Sequence, residues 1–232
     1  MNSKFYQDDH ELLQLMKREL FSAVIGDVLD KMGRLHQFLP PKIKPLRPDM
    51  VVAGRAMTVL EADVFIEIVE DGKGPLSHKP FGLMFEALDD LKPGEIYVAS
   101  GAGGRYALWG ELMSTRAALL GAAGAVLNGF SRDTSGILKL DFPTFSKGGY
   151  GQDQGARGKV IDWRVPIEMD NVRIEPGALI FGDRDGAVTI PKDVEEEVIA
   201  AALDKVRGEK KVAQAIRQGM SAVEAFETYG IM

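Results

Sequence analysis

The 232-residue chain is 45% hydrophobic and carries a formal net charge of −6. That is enough apolar content for one large folded unit, and the wrong balance for a general phosphate binder, so nucleic acid is not an expected partner. There is no cysteine, which excludes disulfides, thiolate zinc sites and cysteine nucleophiles.

No apolar run is long enough to cross a bilayer, and residues 1–9 are polar and acidic, unlike a secretion signal. The expectation is a soluble, cytoplasmic protein with no membrane partner. Asp8 followed by Glu11 has capping-box spacing and opens a helix with Leu12, Leu15 and Met16 inward. A second helix is predicted over 22–32, closed by Gly33. Pro40, Pro41, Pro45 and Pro48 make 39–48 extended or turning. Strands are predicted over 51–60 and 62–69, a Gly/Pro loop over 71–80 and a helix over 81–91.

After the Pro93-Gly94 turn, 95–100 reads as a short apolar strand and 101–104 as a glycine loop. A helix is predicted over 110–120, with Met113, Ala117 and Leu120 on one face, then a buried strand over 122–127. Strand, loop, helix and strand make a βαβ unit, which closes right-handed on a parallel sheet and gathers sites at strand C-termini and helix N-termini. Further strands are predicted over 160–165, 172–174, 178–181 and 187–190. Asp193 with Glu196, and Ser221 with Glu224, are predicted to cap the closing helices. The expected organisation is one α/β catalytic domain over 1–192 and a helical tail over 193–232, placed at a subunit interface because it has little sheet of its own.

Two segments carry the chemistry. Gly110-Glu111-Leu112-Met113 opens a helix whose free N–H groups attract a carboxylate or phosphate, and Gly110 lets a ligand approach the backbone. The alternative is a plain glycine N-cap with Glu111 offsetting the helix dipole. Arg132-Asp133 follows a buried strand. Arginine can clamp a planar carboxylate through two parallel bonds, and aspartate offers a hard oxygen to Mg²⁺ or Mn²⁺. Here the alternative is a solvated turn or a structural ion pair.

Other motifs point away from common chemistries. Gly101-Ala102-Gly103-Gly104-Arg105 is not a dinucleotide fingerprint, and no P-loop occurs. Gly182-Asp183-Arg184-Asp185-Gly186 lacks EF-hand spacing and reads as a turn between strands. His10, His36 and His78 are scattered, against a histidine zinc site. Trp109 and Tyr106 are expected in core or interface packing.

From about Ser22 to Gly219 the chain resembles the family that joins 4-hydroxy-4-methyl-2-oxoglutarate/4-carboxy-4-hydroxy-2-oxoadipate aldolases with the regulator of ribonuclease activity A proteins. The resemblance is carried by the strand from Val52 to Val59, by Pro93 to Val98, by Gly110 to Met113, by Gly129 to Asp133, and by Gly182 to Gly186 completed by Pro191. It implies a compact α/β/β/α sandwich, swivelling-domain-like, with a central βαβ unit and a C-terminal helical extension, assembled as a homotrimer or homohexamer. It further implies a class II-type, Mg²⁺- or Mn²⁺-dependent aldolase that releases pyruvate from a 2-oxo acid and can decarboxylate oxaloacetate.

Carried across by position, Gly110, Glu111, Leu112 and Met113 would bind the substrate carboxylate. Arg132 would bind substrate and stabilise the enolate, Asp133 would hold the metal, and Glu111 would act near the metal's water. Glu209 is a weaker candidate, reaching in from an adjacent subunit. The chain departs from the family pattern at Asn128, at Pro176-Gly177-Ala178 and at Glu168-Met169-Asp170-Asn171, and the first and last are expected to alter the pocket lining. The resemblance also admits a non-catalytic regulator that binds a ribonuclease. Asp133 beside Arg132 favours the enzyme, because a regulator can do without that ligand.

Overall fold

The computed structural model describes residues 5–66 and 68–230. The chain opens with α1 (Asp9–Glu19) and α2 (Ser22–Lys31). Asp8 caps α1 by accepting from the Glu11 amide at 2.9 Å, while Glu11 reaches back to the Gln7 amide at 2.8 Å rather than to Asp8. Helix α2 has no side-chain cap of its own. Its N-terminus is held instead by Asp183, whose carboxylate accepts from Ser22 N and Ser22 Oγ, each at 2.7 Å.

After β1 (Lys44–Pro45) comes β2 (Val52–Asp63). The two strands predicted over 51–60 and 62–69 are therefore one strand that ends early, and Glu67 lies outside the described residues. An irregularity between Leu60 and Glu61 marks the place where sequence reasoning put the break. Next come α3 (Met84–Asp89), β3 (Glu95–Ser100), β4 (Ala107–Trp109), α4 (Glu111–Leu119), β5 (Gly124–Leu127), β6 (Phe130–Ser131), α5 (Thr134–Lys139) and β7 (Thr144–Ser146).

The second half holds β8 (Gly158–Trp163) and the hairpins β9 (Ile167–Met169) with β10 (Val172–Ile174) and β11 (Leu179–Asp183) with β12 (Gly186–Ile190). Asp170 and Asn171 both take positive φ, the backbone of a tight hairpin turn. The chain ends in α6 (Glu195–Arg217) and α7 (Ala222–Tyr229). Ser221 and Glu224 form the expected capping box on α7. Asp193 does not cap α6: a 3-10 turn over Lys192–Val194 intervenes, and Asp193 pairs with Arg34 at 2.5 Å.

The main sheet runs β1-β7-β5-β3-β2-β11-β12, with β8 added to β2. Strands β2, β3, β5 and β7 are parallel neighbours, as the βαβ reading requires. The sheet nearly closes on itself. Leu39 N donates to Ala187 O and Thr189 N to Gln37 O, each at 2.9 Å, so the segment leading into β1 runs along β12.

Apolar side chains then fill three layers, which together make the α/β/β/α arrangement. Helices α1, α2 and α6 pack on Ala53, Leu179, Phe181, Val188 and Ile190. The space between the two halves of the sheet is filled by Val52, Ile96, Val98, Val126, Phe145 and Ile180. On the far side, Met57, Val59, Tyr97 and Ala125 pack under α3 and α4. The start of the tail belongs to this chain's own core, since Val198, Ile199, Ala202, Leu203 and Val206 of α6 are buried in the first layer. Only further along do Ile216, Val223, Phe226 and Tyr229 stand exposed. Among the described residues no helix is long and apolar enough to cross a membrane.

Candidate functional site

Two short strands outside the main sheet build the site. β4 and β6 pair in parallel, with Trp109 beside Ser131, so their carboxyl ends lie side by side. β4 runs into Gly110 and α4, while β6 runs into Arg132, Asp133 and α5. The ladder is extended by Arg132 N donating to Trp109 O at 2.8 Å. The two segments marked in the sequence therefore meet. A Cβ built on Gly110 would stand 2.7 Å from Asp133 Oδ2 and 3.5 Å from Arg132 Cγ. Gly110 has extended backbone (φ −152°), so its missing Cβ matters for the close approach of the Asp133 carboxylate, which a side chain would push aside, and not for torsion freedom.

Asp133 takes left-handed backbone, φ 55° and ψ 35°, at the head of α5 and makes no capping bond. A non-glycine residue in that region costs about 1–2 kcal/mol, least for Asp and Asn. The conformation leaves its carboxylate turned towards Gly110 and Arg132, with Arg132 Nε 3.6 Å from Asp133 Oδ2. Arg132 Nη1 donates to Asp153 Oδ1 at 2.6 Å, and Asp153 Oδ2 accepts from Gly155 N at 2.8 Å. Nη2 has no partner among the described residues.

Asp153 and Gln154 were not found by sequence reasoning. They lie in a glycine-rich segment pinned to both site strands: Tyr150 N donates to Ser131 O at 2.8 Å and Ala107 N to Gln152 O at 2.9 Å. These bonds, formed between residues far apart in the chain, make the segment a third wall.

The three walls enclose a cavity of about 230 Å³, below the roughly 300–1,000 Å³ that drug-sized ligands occupy. Gly110, Leu112, Met113, Arg132, Asp133, Asp153 and Gln154 line it, with Trp109 and apolar side chains from α3. Among the described residues no side chain caps α4, so its first amides are free to receive an anion. Trp109 is also core, as expected: it is buried, stacks against Phe142 and donates to Ser114 Oγ at 2.6 Å.

The side chains of Glu111 and Glu209 do not line this cavity. The Glu111 carboxylate lies over Gly136 in the first turn of α5, where a side chain would collide with it. Glu209 stands on α6, 3.8 Å from Lys205. Asn128 is absent from the lining too, and its Nδ2 donates to Ser100 Oγ at 3.1 Å. The hairpin turn at Asp170-Asn171 also lies off the cavity, so neither departure from the family pattern changes its wall.

The glycine loop has a structural use. Gly103 N donates to Asp63 Oδ1 at 2.9 Å, and Arg105 pairs with the same carboxylate at 3.2 Å. Wider depressions of about 530 Å³ lie around Lys192 and Glu195. Their arginines are already spoken for, Arg55 by Asp9 and Glu195, Arg164 by Asp90 and Glu95. Among the described residues no group of three or more His, Cys, Asp or Glu could hold a metal as a preformed cluster.

The chain is similar to known proteins over most of its length. A family profile described as RraA-like: Aldolase/RraA matches residues 22–189. A Halalkalibacterium halodurans protein provisionally named 4-hydroxy-4-methyl-2-oxoglutarate aldolase is 32% identical over 210 residues, 90% of each chain. The solved structure of an uncharacterized protein from Pseudomonas syringae pv. tomato has a TM-score of 0.81 at 26% identity, over 99% of both chains. Streptomyces coelicolor RraAS2, described as an unusual member of the RNase ES inhibitor RraA protein family, has a TM-score of 0.74 at 23% identity. That match covers 88% of this chain and 96% of that one, and it is a likeness of fold alone.

Proposed function

From the premise that this chain belongs to the RraA-like (Aldolase/RraA) family, we propose that it is a divalent-metal-dependent carbon–carbon lyase. It cleaves a 4-hydroxy-2-oxo acid to pyruvate and a carbonyl compound, and decarboxylates oxaloacetate by the same electron flow. The observation that carries this reading is the shared cavity of about 230 Å³, walled by the uncapped start of α4, by Arg132 and by Asp133.

The amides of Glu111, Leu112 and Met113 receive the substrate carboxylate. Loss of the 4-hydroxyl proton turns C4–O into a carbonyl, the C3–C4 bond breaks, and its electron pair passes to the 2-oxo oxygen of the departing pyruvate enolate. Arg132 offsets the charge that appears on that oxygen, in an orientation fixed by Asp153. C3 then takes up a proton to give pyruvate.

The donor set fits Mg²⁺ or Mn²⁺. Asp133 offers a hard oxygen, and Mg²⁺ is commonly held by one or two carboxylates while keeping several waters, so a cluster of three protein ligands is not required. When bound, the ion supplies Lewis acidity to the 2-oxo group. The cleavage needs no lysine Schiff base. EDTA is expected to abolish pyruvate release from 4-hydroxy-4-methyl-2-oxoglutarate and added Mg²⁺ or Mn²⁺ to restore it, while borohydride with pyruvate leaves activity intact. Inactivation by borohydride would replace this reading with a covalent one.

Self-association into a trimer or hexamer belongs to the same proposal. Leu112 lines the cavity yet is 84% exposed, with Phe85 and Leu119 exposed nearby on α3 and α4, leaving an apolar rim that a neighbouring copy would cover. A monomer in analytical ultracentrifugation would remove that part. The rival reading, a ribonuclease regulator, rests on the RraA members of the same family, and binding to ribonuclease E without pyruvate release would favour it.

A further inference from the structure

Behind the Gln154 wall lies an ionisable residue that the lyase chemistry leaves unused. Glu61 continues the inward alternation of Met57 and Val59 along β2 and is 2% exposed. Its Oε2 accepts from Gln154 Nε2 at 2.8 Å, and its Oε1 has no partner among the described residues. Burial, with Asp63 adding repulsion, pushes its carboxyl up to about 8, so the group is neutral at pH 7.

Gln154 is 4% exposed and lines the cavity. Its Nε2 is committed to Glu61. Its Oε1 accepts nothing from the described residues and is not among the atoms sealed from solvent. Around Glu61 stand Asp63 on β2, Tyr97 on β3, and Tyr106 with Arg105 ahead of β4. On β8, Lys159 is turned away to Leu76 O at 2.6 Å. Burial raises both tyrosines, Tyr97 and Tyr106, above their ordinary range, which leaves Glu61 as the group of this cluster that changes charge just above neutrality.

We infer that Glu61 is a positioning residue: by holding the Gln154 amide from behind, it keeps the Gln154 carbonyl oxygen facing the cavity as an acceptor for a hydroxyl of the bound acid. The inference rests on the lyase reading and narrows it. The preferred substrate carries the 4-hydroxyl, and acids without one bind lacking this bond.

The test compares KM for 4-hydroxy-2-oxoglutarate with the inhibition constant of 2-oxoglutarate, which has the same skeleton without the hydroxyl. Glu61→Leu and Gln154→Leu are each expected to raise KM about three- to tenfold, the scale of one neutral hydrogen bond, and to leave the inhibition constant unchanged. Glu61→Gln still offers an oxygen to Gln154 Nε2 and keeps the wild-type KM. In the wild type, KM rises above about pH 8, as a buried charge appears beside an anionic ligand, whereas in Glu61→Gln it stays flat.

Melting curves establish that each variant is folded, and Gln154→Leu carries the test if Glu61→Leu is not. Equal changes in both constants, or a folded leucine variant with wild-type KM, overturn the inference while the lyase reading stands. A wild type that releases no pyruvate from the hydroxy acid overturns both.

Discussion

Arg132→Ala is expected to lower kcat/KM for pyruvate release by about 10²–10³-fold, the scale on which a key electrostatic group is lost from a transition state. The argument starts from position. Arg132 follows directly on β6, its backbone amide extends the β4–β6 ladder, and one edge of its guanidinium is taken by Asp153 while Nη2 has no partner among the described residues. A fork held at one side and open at the other suits an oxygen whose charge grows during the reaction. The fold should survive the change. Arg132, Asp133 and Asp153 keep 39%, 47% and 44% of their side-chain surface exposed, and exposed ion pairs contribute roughly 0–1 kcal/mol. Arg132→Lys keeps the charge and loses the fork, so it is expected to fall between the wild type and alanine. A wild-type kcat/KM in Arg132→Ala would take the residue out of the site.

Glu61→Gln is expected to stabilise the protein increasingly as pH rises. The folded state holds the Glu61 carboxyl up to about 8, against an ordinary value of 4.5. Between those values the folded chain binds a proton that the unfolded chain has released, so stability falls with rising pH. The contribution is intact below pH 4.5, is lost progressively up to about pH 8, and is then constant. At about 1.4 kcal/mol per pH unit the full effect reaches at most roughly 5 kcal/mol. Glutamine cannot ionise, so the difference between variant and wild type, measured by urea unfolding across this range, isolates Glu61 from the other acids. A difference that does not change with pH would mean that Glu61 is not held neutral.

The same residue shows where sequence reading stops. An acid in an apolar run looks like the gap between two strands, because a charged side chain is rarely buried. β2 runs through the gap, and Glu61 fits because burial keeps it neutral. Local signals were easier to read. The Pro93-Gly94 turn and the glycines after Ser100 bracket β3, Ser221 with Glu224 caps α7, and Asp183 turns the β11–β12 hairpin.

β4 and β6 are too short to show a period-two pattern. Yet their pairing is what brings Gly110 beside Arg132, so both segments could be marked in the sequence without the reason for their meeting. Asp153 and Gln154 stand in a glycine-rich run with no periodicity, placed by bonds to Ala107 and Ser131 across the fold. Glu111 has the right chemistry for an acid near the site, but its carboxylate lies over Gly136 at the start of α5 and outside the cavity lining.

The most direct test is a crystal structure with Mg²⁺ and pyruvate bound. The expected result is the pyruvate carboxylate on the amides of Glu111 to Met113, its keto oxygen on the Arg132 side, and the ion on Asp133. Pyruvate bound elsewhere, or an ion seated away from Asp133 with the helix tip empty, would contradict the reading of one shared cavity as the site of cleavage.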